Sequence, residues 1–330
     1  MIMPNSSKPL LIVNAREKFN EAVRSLESLY QNTKIDFDLI YLESSGSKKH
    51  RAEIVTYQKK QGFELVVLEK FLYPNAARNL GLKRAEKYAP EWVAFLDNDV
   101  VFAPGWLTEL IRVAETMEVA VVSPLICQNG SDFAEVHTAG GTCRVVAGEL
   151  VEVLGQQGEP VATVSPNPRS TELFEFHCVL FRYHPDLRFN PKLYNTREHL
   201  DASLQVQKEG GRIYLAPQSR VAYLPTRLET LADLLFYELR WSRLHKQKSL
   251  AHFARKWNVT VESTNRRPLD APRRGIAVRA LLEQLKPYGS FEEDLRGILF
   301  RGEPYFNQVL GSFCKDFYQA KPVITAEYGG

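Results

Sequence analysis

Two carboxylates stand two residues apart in Asp97-Asn98-Asp99, and an apolar run, Trp92 to Leu96, leads straight into them. Val100 and Val101 follow at once, then a Pro104-Gly105 turn. Carboxylates at the end of a buried strand are costly unless a partner offsets their desolvation. A hard dication, Mg2+ or Mn2+, is a common solution, because it takes oxygen ligands and keeps positions open for phosphate oxygens. The same pattern also suits a polar strand end or an Asx-type turn. The pair alone does not choose between these. Other groups able to do chemistry are scattered along the chain: Asn14 and Arg16, Glu43, Arg78 and Asn79, and the cluster Glu198, His199 and Asp201.

The elements that must position these groups follow from hydrophobic patterning. Leu10 to Asn14 reads as a buried strand, and Phe19, Val23, Leu26 and Tyr30 recur at helical spacing after it. Phe37 to Leu42 is a second strand, ending in the polar run Glu43 to Ser47 that suggests a loop open to a ligand. A helix over Glu53 to Gln61 and a third strand over Phe63 to Leu68 come next. Pro74 and Asn75 open a helix with a small-residue face, Ala76, Ala77, Leu80, Leu82 and Ala85. The strand ending at Asp97 follows it. Alternating strands and helices predict an α/β architecture with a mostly parallel sheet. Ligands of such sheets sit at the carboxyl ends of the strands. Arg16, Glu43, Arg78, Asn79 and Asp97 all fall near those ends, which groups them in one cleft.

Further on, Leu107 to Met117 reads as a helix and Val119 to Ser123 as a strand. Gln128 to Gly158 is glycine-rich and reads as irregular loops with short strands. Phe174 to Arg182 has strand character. A helix over Glu198 to Glu209 is stopped by Gly210-Gly211, and two short strands follow, Arg212 to Ala216 and Arg220 to Tyr223.

Bulk properties set the frame. The 330 residues suffice for one large or two modest domains. A formal charge of +3 is too small to argue for a nucleic-acid partner. Four widely spaced cysteines favour a reduced, intracellular protein over a disulfide framework. No apolar run approaches the ~20 residues needed to cross a bilayer. The short apolar stretch and early Pro4 at the N-terminus do not make a signal peptide. The expectation is a cytoplasmic protein.

Several segments, taken in order, resemble the inverting glycosyltransferases of family 2, which have the Rossmann-like GT-A fold. They are Ala77-Arg78-Asn79, the run FLDNDVVFAPGWL, Cys178 to Arg182, and REHLDASLQVQKEGGRIYLAPQSRVAY. Together they span about residues 10–225. The resemblance implies a transferase domain over 1–225 and a helical C-terminal region over 226–330. It implies a nucleotide-diphosphate sugar as donor, most commonly a UDP-sugar, and a carbohydrate or lipid-linked acceptor, in polysaccharide or glycoconjugate synthesis. Asp99 would ligate Mn2+ or Mg2+ against the diphosphate, and Asp97 would reach the metal or the ribose. Asn14, Arg16, Glu43, Arg78, Asn79 and Asn98 would line the nucleotide, with Glu43 one methylene longer than the family's usual Asp.

Two departures matter. The family's base is commonly the Asp after a Glu, whereas this chain has Glu198-His199. His199 or Glu198 would then take the acceptor's proton, with Asp201 behind them. A binding protein without turnover is the competing expectation. A nucleotidyltransferase would want a glycine-rich loop after the first strand, and Asn14 to Lys18 has none. Second, Leu224 stands near the place where many relatives have a histidine that completes the metal shell. His245 lies far beyond it on a helix and is expected at the surface. His137 is either a loop or core histidine or an acceptor contact. Phe174, Phe176 and His177 read as core, or as a sugar-stacking cluster.

Past Thr226 the leucines 228, 231, 234, 235, 239 and 244 predict one long amphipathic helix reaching towards Trp257. Arg240, Arg243, Lys246, Lys248, Arg255 and Lys256 would form its basic face, with Arg266, Arg267, Arg273 and Arg274 after it. Such a face suits solvent or, peripherally, the anionic inner face of a membrane. Helical pieces and a frayed tail complete the chain.

Overall fold

The computed structural model describes residues 8–15, 18–44, 48–68, 72–224, 228–229, 231–265, 270–285, 292–313 and 324–328. Strand β1, Leu10–Asn14, is buried along its whole length. Helix α1, Ala22–Asn32, turns Leu26 and Leu29 into the core. Strand β2 (Asp38–Glu43), helix α2 (Lys48–Gln61) and strand β3 (Glu64–Leu68) follow. Helix α3, Pro74–Ala85, starts on a proline that is pre-set for the first helical turn. Gly81 lets it lie close on β1, since a Cβ there would stand 2.6 Å from Ile12 Cγ2. Strand β4, Trp92–Asp97, is buried throughout.

These four strands pair in parallel in the order β4-β1-β2-β3. Their register decides the site. Asn14 lies opposite both Leu42 and Asp97, so the ends of β1, β2 and β4 bring Asn14, Glu43 and Asp97 to one edge.

The chain continues through β5 (Val100–Phe102), α4 (Trp106–Thr116), β6 (Val121–Gln128), β7 (Glu135–Thr138), β8 (Gly141–Val146) and β9 (Glu149–Leu154). After these come β10 (Arg169–Thr171), β11 (Cys178–Arg182), α5 (Glu198–Lys208) and β12 (Ile213–Tyr223). Helices α6 (Leu231–Arg240), α7 (Arg243–Trp257), α8 (Asp270–Leu285) and α9 (Glu292–Phe313) precede strand β13 (Ile324–Tyr328). The main sheet runs β10-β12-β6-β11-β4-β1-β2-β3-β13, with β5 on β12 and β7 on β6. Beyond the parallel quartet it is mixed: β11 lies antiparallel between β4 and β6.

The two short strands expected around residues 212–223 are one strand with an irregularity between Ala216 and Arg220. The single long helix expected after Thr226 is two helices, broken at Trp241-Ser242. Their apolar faces serve different neighbours. Leu234 and Tyr237 of α6 pack with Ala277 and Ala280 of α8, whereas Phe253 of α7 packs with Leu193, Leu200 and Leu204. Arg240 is not on a basic outer face: it is fully buried and donates from Nη1 to Asn195 O at 3.0 Å. Arg266 and Arg267 lie outside the described residues. The tail expected to fray instead returns to the sheet, where β13 pairs antiparallel with β3. Among the described residues no helix is long and apolar enough to cross a membrane. Cys127, Cys143 and Cys178 are free and buried.

Candidate active site

The carboxyl edge of the parallel quartet carries four buried polar side chains, Asn14, Glu43, Asp97 and Asn98, and Asp99 is buried in the turn between β4 and β5. Two cations flank the aspartates. Arg78 Nη2 lies 3.9 Å from Asp97 Oδ1, and the buried guanidinium also donates to Asn75 Oδ1 at 3.0 Å and sits over the Phe176 ring. Arg78 is thus not a solvated helix charge; its guanidinium is buried beside Asp97. Lys18 Nζ lies 2.6 Å from Asp99 Oδ2, donates to Leu224 O at 2.6 Å and stands over the Tyr223 ring. Lys18 is not among the residues that type and spacing single out. Its signal was its place in the loop leaving β1.

Antiparallel pairing brings a third kind of group. Cys178 lies opposite Leu96, so the residue before β11 meets the end of β4. Asp97 N donates to His177 O at 3.1 Å, and His177 Nδ1 lies 3.1 Å from Asp97 Oδ2. Asp97, Asp99 and His177 each offer a ligand atom within 4.8 Å of the others. His177, read as core or a sugar-stacking residue, is half-buried and lies beside the two aspartates. Leu224 itself is close by, donating its backbone N–H to Asp99 O at 2.8 Å.

The other nitrogen of His177 faces Glu175 Oε2 at 3.7 Å, and the same oxygen is bonded to His137 Nε2 at 2.8 Å. Burial opposes ionisation of Glu175, but the charges of His137, His177 and His199 and the bond from His137 outweigh it. They hold its carboxyl well below the usual range. Tyr223 stacks on His177, with ring centroids 5.1 Å apart, and meets His137 edge-on at 4.9 Å.

Beyond this wall lies a cavity of about 560 Å3, lined by His137, Glu175, His177, Glu198, His199 and Arg240 among others. Helix α5 places Glu198 and His199 there. Glu198 is buried, with Oε1 3.6 Å from Arg240 Nη2. His199 Nε2 is buried and has no hydrogen-bond partner among the described residues. Asp201 is not on the cavity wall. It accepts from Trp257 Nε1 at 2.8 Å and pairs with Lys256 Nζ at 2.7 Å.

Two further positions fall elsewhere. Asn79 is spent on the backbone of Phe189, donating to its O at 2.7 Å and accepting from its N at 2.8 Å. Arg16 lies outside the described residues. His245, expected at the surface, is buried with Nδ1 2.6 Å from Tyr73 Oη, and burial lowers its pKa to about 4.

Residues 11–163 match the family model described as glycosyl transferase family 2. That stretch, a little under half of the chain, is similar to glycosyl transferase family 2. No curated protein matches the chain. Among solved structures it is similar to a crystal structure of GalNAc-T7 with UDP, GalNAc and Mn2+, at 16% identity and a TM-score of 0.52. The match covers 94% of this chain but 58% of that one, so the chain spans less than two thirds of that relative's length. It is also similar to the mannosyltransferase PcManGT from Pyrobaculum calidifontis in complex with GDP-Man and Mn2+, at 12% identity and a TM-score of 0.47, over 94% of this chain and 87% of that one. The likeness to GalNAc-T7 shows a shared GT-A-type fold.

Proposed function

We propose that the protein transfers a sugar from a nucleotide-diphosphate donor to an acceptor hydroxyl, with inversion and with the help of a divalent cation. One observation carries this reading: the stretch that matches the family 2 model buries Asp97 and Asp99 side by side at the edge where β1, β2 and β4 all end. Buried carboxylates converging at that edge suit a hard cation and the diphosphate it would bind. Asp97 and Asp99 would hold Mn2+ or Mg2+. When bound, the cation offsets charge building on the leaving diphosphate. Mn2+ and UDP in the GalNAc-T7 structure support this reading without choosing the metal or the base.

The chain's own groups divide the remaining work. Arg78 fixes Asp97. Asn14, Glu43 and Asn98 face the nucleotide side. His199, whose Nε2 has no hydrogen-bond partner among the described residues, takes the acceptor proton, and Glu198 beside it is steadied by Arg240. The donor would enter from the carboxyl edge and the acceptor from the cavity. Residues 1–225 would form the transferase domain, and the helical region after them would close the acceptor side through Arg240, Trp241 and Arg273 on the cavity wall. The acceptor would be a carbohydrate or a lipid-linked sugar.

The test is the melting temperature against a panel of nucleoside diphosphates and nucleotide sugars, with and without Mn2+. A ligand that binds the folded state raises it by mass action. The reading expects a shift with one nucleotide family that needs Mn2+. No shift with any nucleotide contradicts it.

A further inference from the structure

Glu175 and His177 flank the core residue Phe176 just before β11, and His137 comes from β7. Their side chains converge. Glu175 Oε2 is 2.8 Å from His137 Nε2 and 3.7 Å from His177 Nε2. A tetrahedral ion with bonds of about 2.0–2.1 Å holds its ligand atoms about 3.3–3.4 Å apart. The two separations bracket that spacing, and the three ligand atoms all lie within 4.8 Å of one another.

The far side of each imidazole strengthens the case. His137 Nδ1 is bonded to Gln128 Oε1 at 3.3 Å. The Gln128 amide is itself oriented, because its Nε2 donates to Glu135. His177 Nδ1 faces Asp97 Oδ2 at 3.1 Å. His137 therefore has one nitrogen bonded to an oxygen and the other on Glu175, while His177 turns Nδ1 towards Asp97 and Nε2 towards the same glutamate. That is how histidines are held when they bind a metal, the outer oxygen fixing tautomer and ring orientation. Tyr223 packs against both rings.

We propose that His137, Glu175 and His177 bind a transition-metal dication of the Zn2+ type, as a centre separate from the Asp97–Asp99 pair. Two imidazoles and one carboxylate suit zinc, whereas two carboxylates suit Mg2+ or Mn2+. A neutral imidazole ligates through one nitrogen, so His177 serves this centre through Nε2 and steadies Asp97 through Nδ1. Three protein ligands leave a fourth position open. All three residues line the 560 Å3 cavity, so that position takes an oxygen donor from it, water or an acceptor hydroxyl.

The test uses the full chain, stripped of metal by a chelator and titrated with Co2+. A four- or five-coordinate site of this kind gives visible d–d bands, which Zn2+ should bleach and Mg2+ should not. H137A and E175Q lose the bands, and D99N keeps them. Q128A, which removes only an orienting oxygen, weakens Co2+ binding about 10- to 100-fold. Circular dichroism of each variant confirms that it folds. Absence of the bands in the unmodified chain overturns the proposal. So does their loss in D99N, whether or not H137A loses them, because the aspartates would then belong to the same centre. Nucleotide binding by the unmodified chain is read separately, so failure here leaves the donor-site reading standing.

Discussion

Lys18 and Asp99 form a buried ion pair, with Nζ 2.6 Å from Oδ2 and side-chain exposures of 4% and 1%. The lysine therefore offsets the charge of the very carboxylate that would hold the donor's cation. Removing one member of a buried pair costs about 3–5 kcal/mol, because the other charge is left uncompensated. K18M is expected to lower the stability of the metal-free protein by that order. It should also increase the rise in melting temperature that Mn2+ produces, since a competing cation is gone. Thermal unfolding of both proteins with and without Mn2+ checks this. An equal Mn2+ response in the two would show that Lys18 and the metal do not share Asp99.

The acceptor side yields a comparison of three variants. A positioned general base contributes about 100- to 10,000-fold. H199A should lower kcat by at least the smaller figure, with melting temperature little changed. E198Q should cost less, because Glu198 is already paired with Arg240. D201N should act on stability, since Asp201 holds Trp257 and Lys256 rather than the cavity. Steady-state kinetics beside melting curves separate these outcomes. A D201N enzyme that is stable but inactive would move the base to Asp201.

Stability between about pH 4.5 and pH 8 turns on Glu238. Burial, with Glu303 adding to it, pushes this carboxyl up to about 8. The folded state then binds a proton that the unfolded chain has released. Stability falls as pH rises from the ordinary carboxylate range through about 8, by on the order of 1 kcal/mol per pH unit. E238Q keeps an acceptor for Asn307 Nδ2 and should flatten that slope. Urea unfolding at several pH values reads it directly.

His245 works in the opposite direction. Its pKa is lowered to about 4 by burial, so the unfolded chain takes up the proton first as pH falls. Stability is lost between about pH 6.5 and pH 4. H245N should remove that loss relative to the unmodified protein, while shortening the reach to Tyr73. An unchanged acid slope in H245N would assign the loss to other groups.

The residues that end apolar runs were legible from the sequence. Asn14, Glu43 and Asp97 close β1, β2 and β4, and parallel pairing brings such ends to one edge whatever the loops do. Glu198 and His199 were legible as the start of a helix. The groups that arrive by long-range pairing were not. His177 reaches Asp97 because β11 runs antiparallel to β4, a register that no local pattern shows. Lys18 reaches Asp99 through a loop whose path depends on Leu224, some 206 residues away. Arg240 and His245 looked like surface residues because charge and polarity were visible and their buried partners, Asn195 and Tyr73, were not. The leucine spacing ran on across Ser242, so the break between α6 and α7 left no mark in the periodicity.

In the proposed function Asp97 and Asp99 hold a dication against a nucleotide diphosphate. Calorimetric titration of the unmodified protein and of D99N with UDP and GDP, each with and without Mn2+, tests it most directly. The unmodified protein should bind one of the two nucleotides tightly only when Mn2+ is present, and D99N, still folded, should lose the Mn2+-dependent part. Binding that is indifferent to Mn2+, or that survives unchanged in D99N, would contradict it.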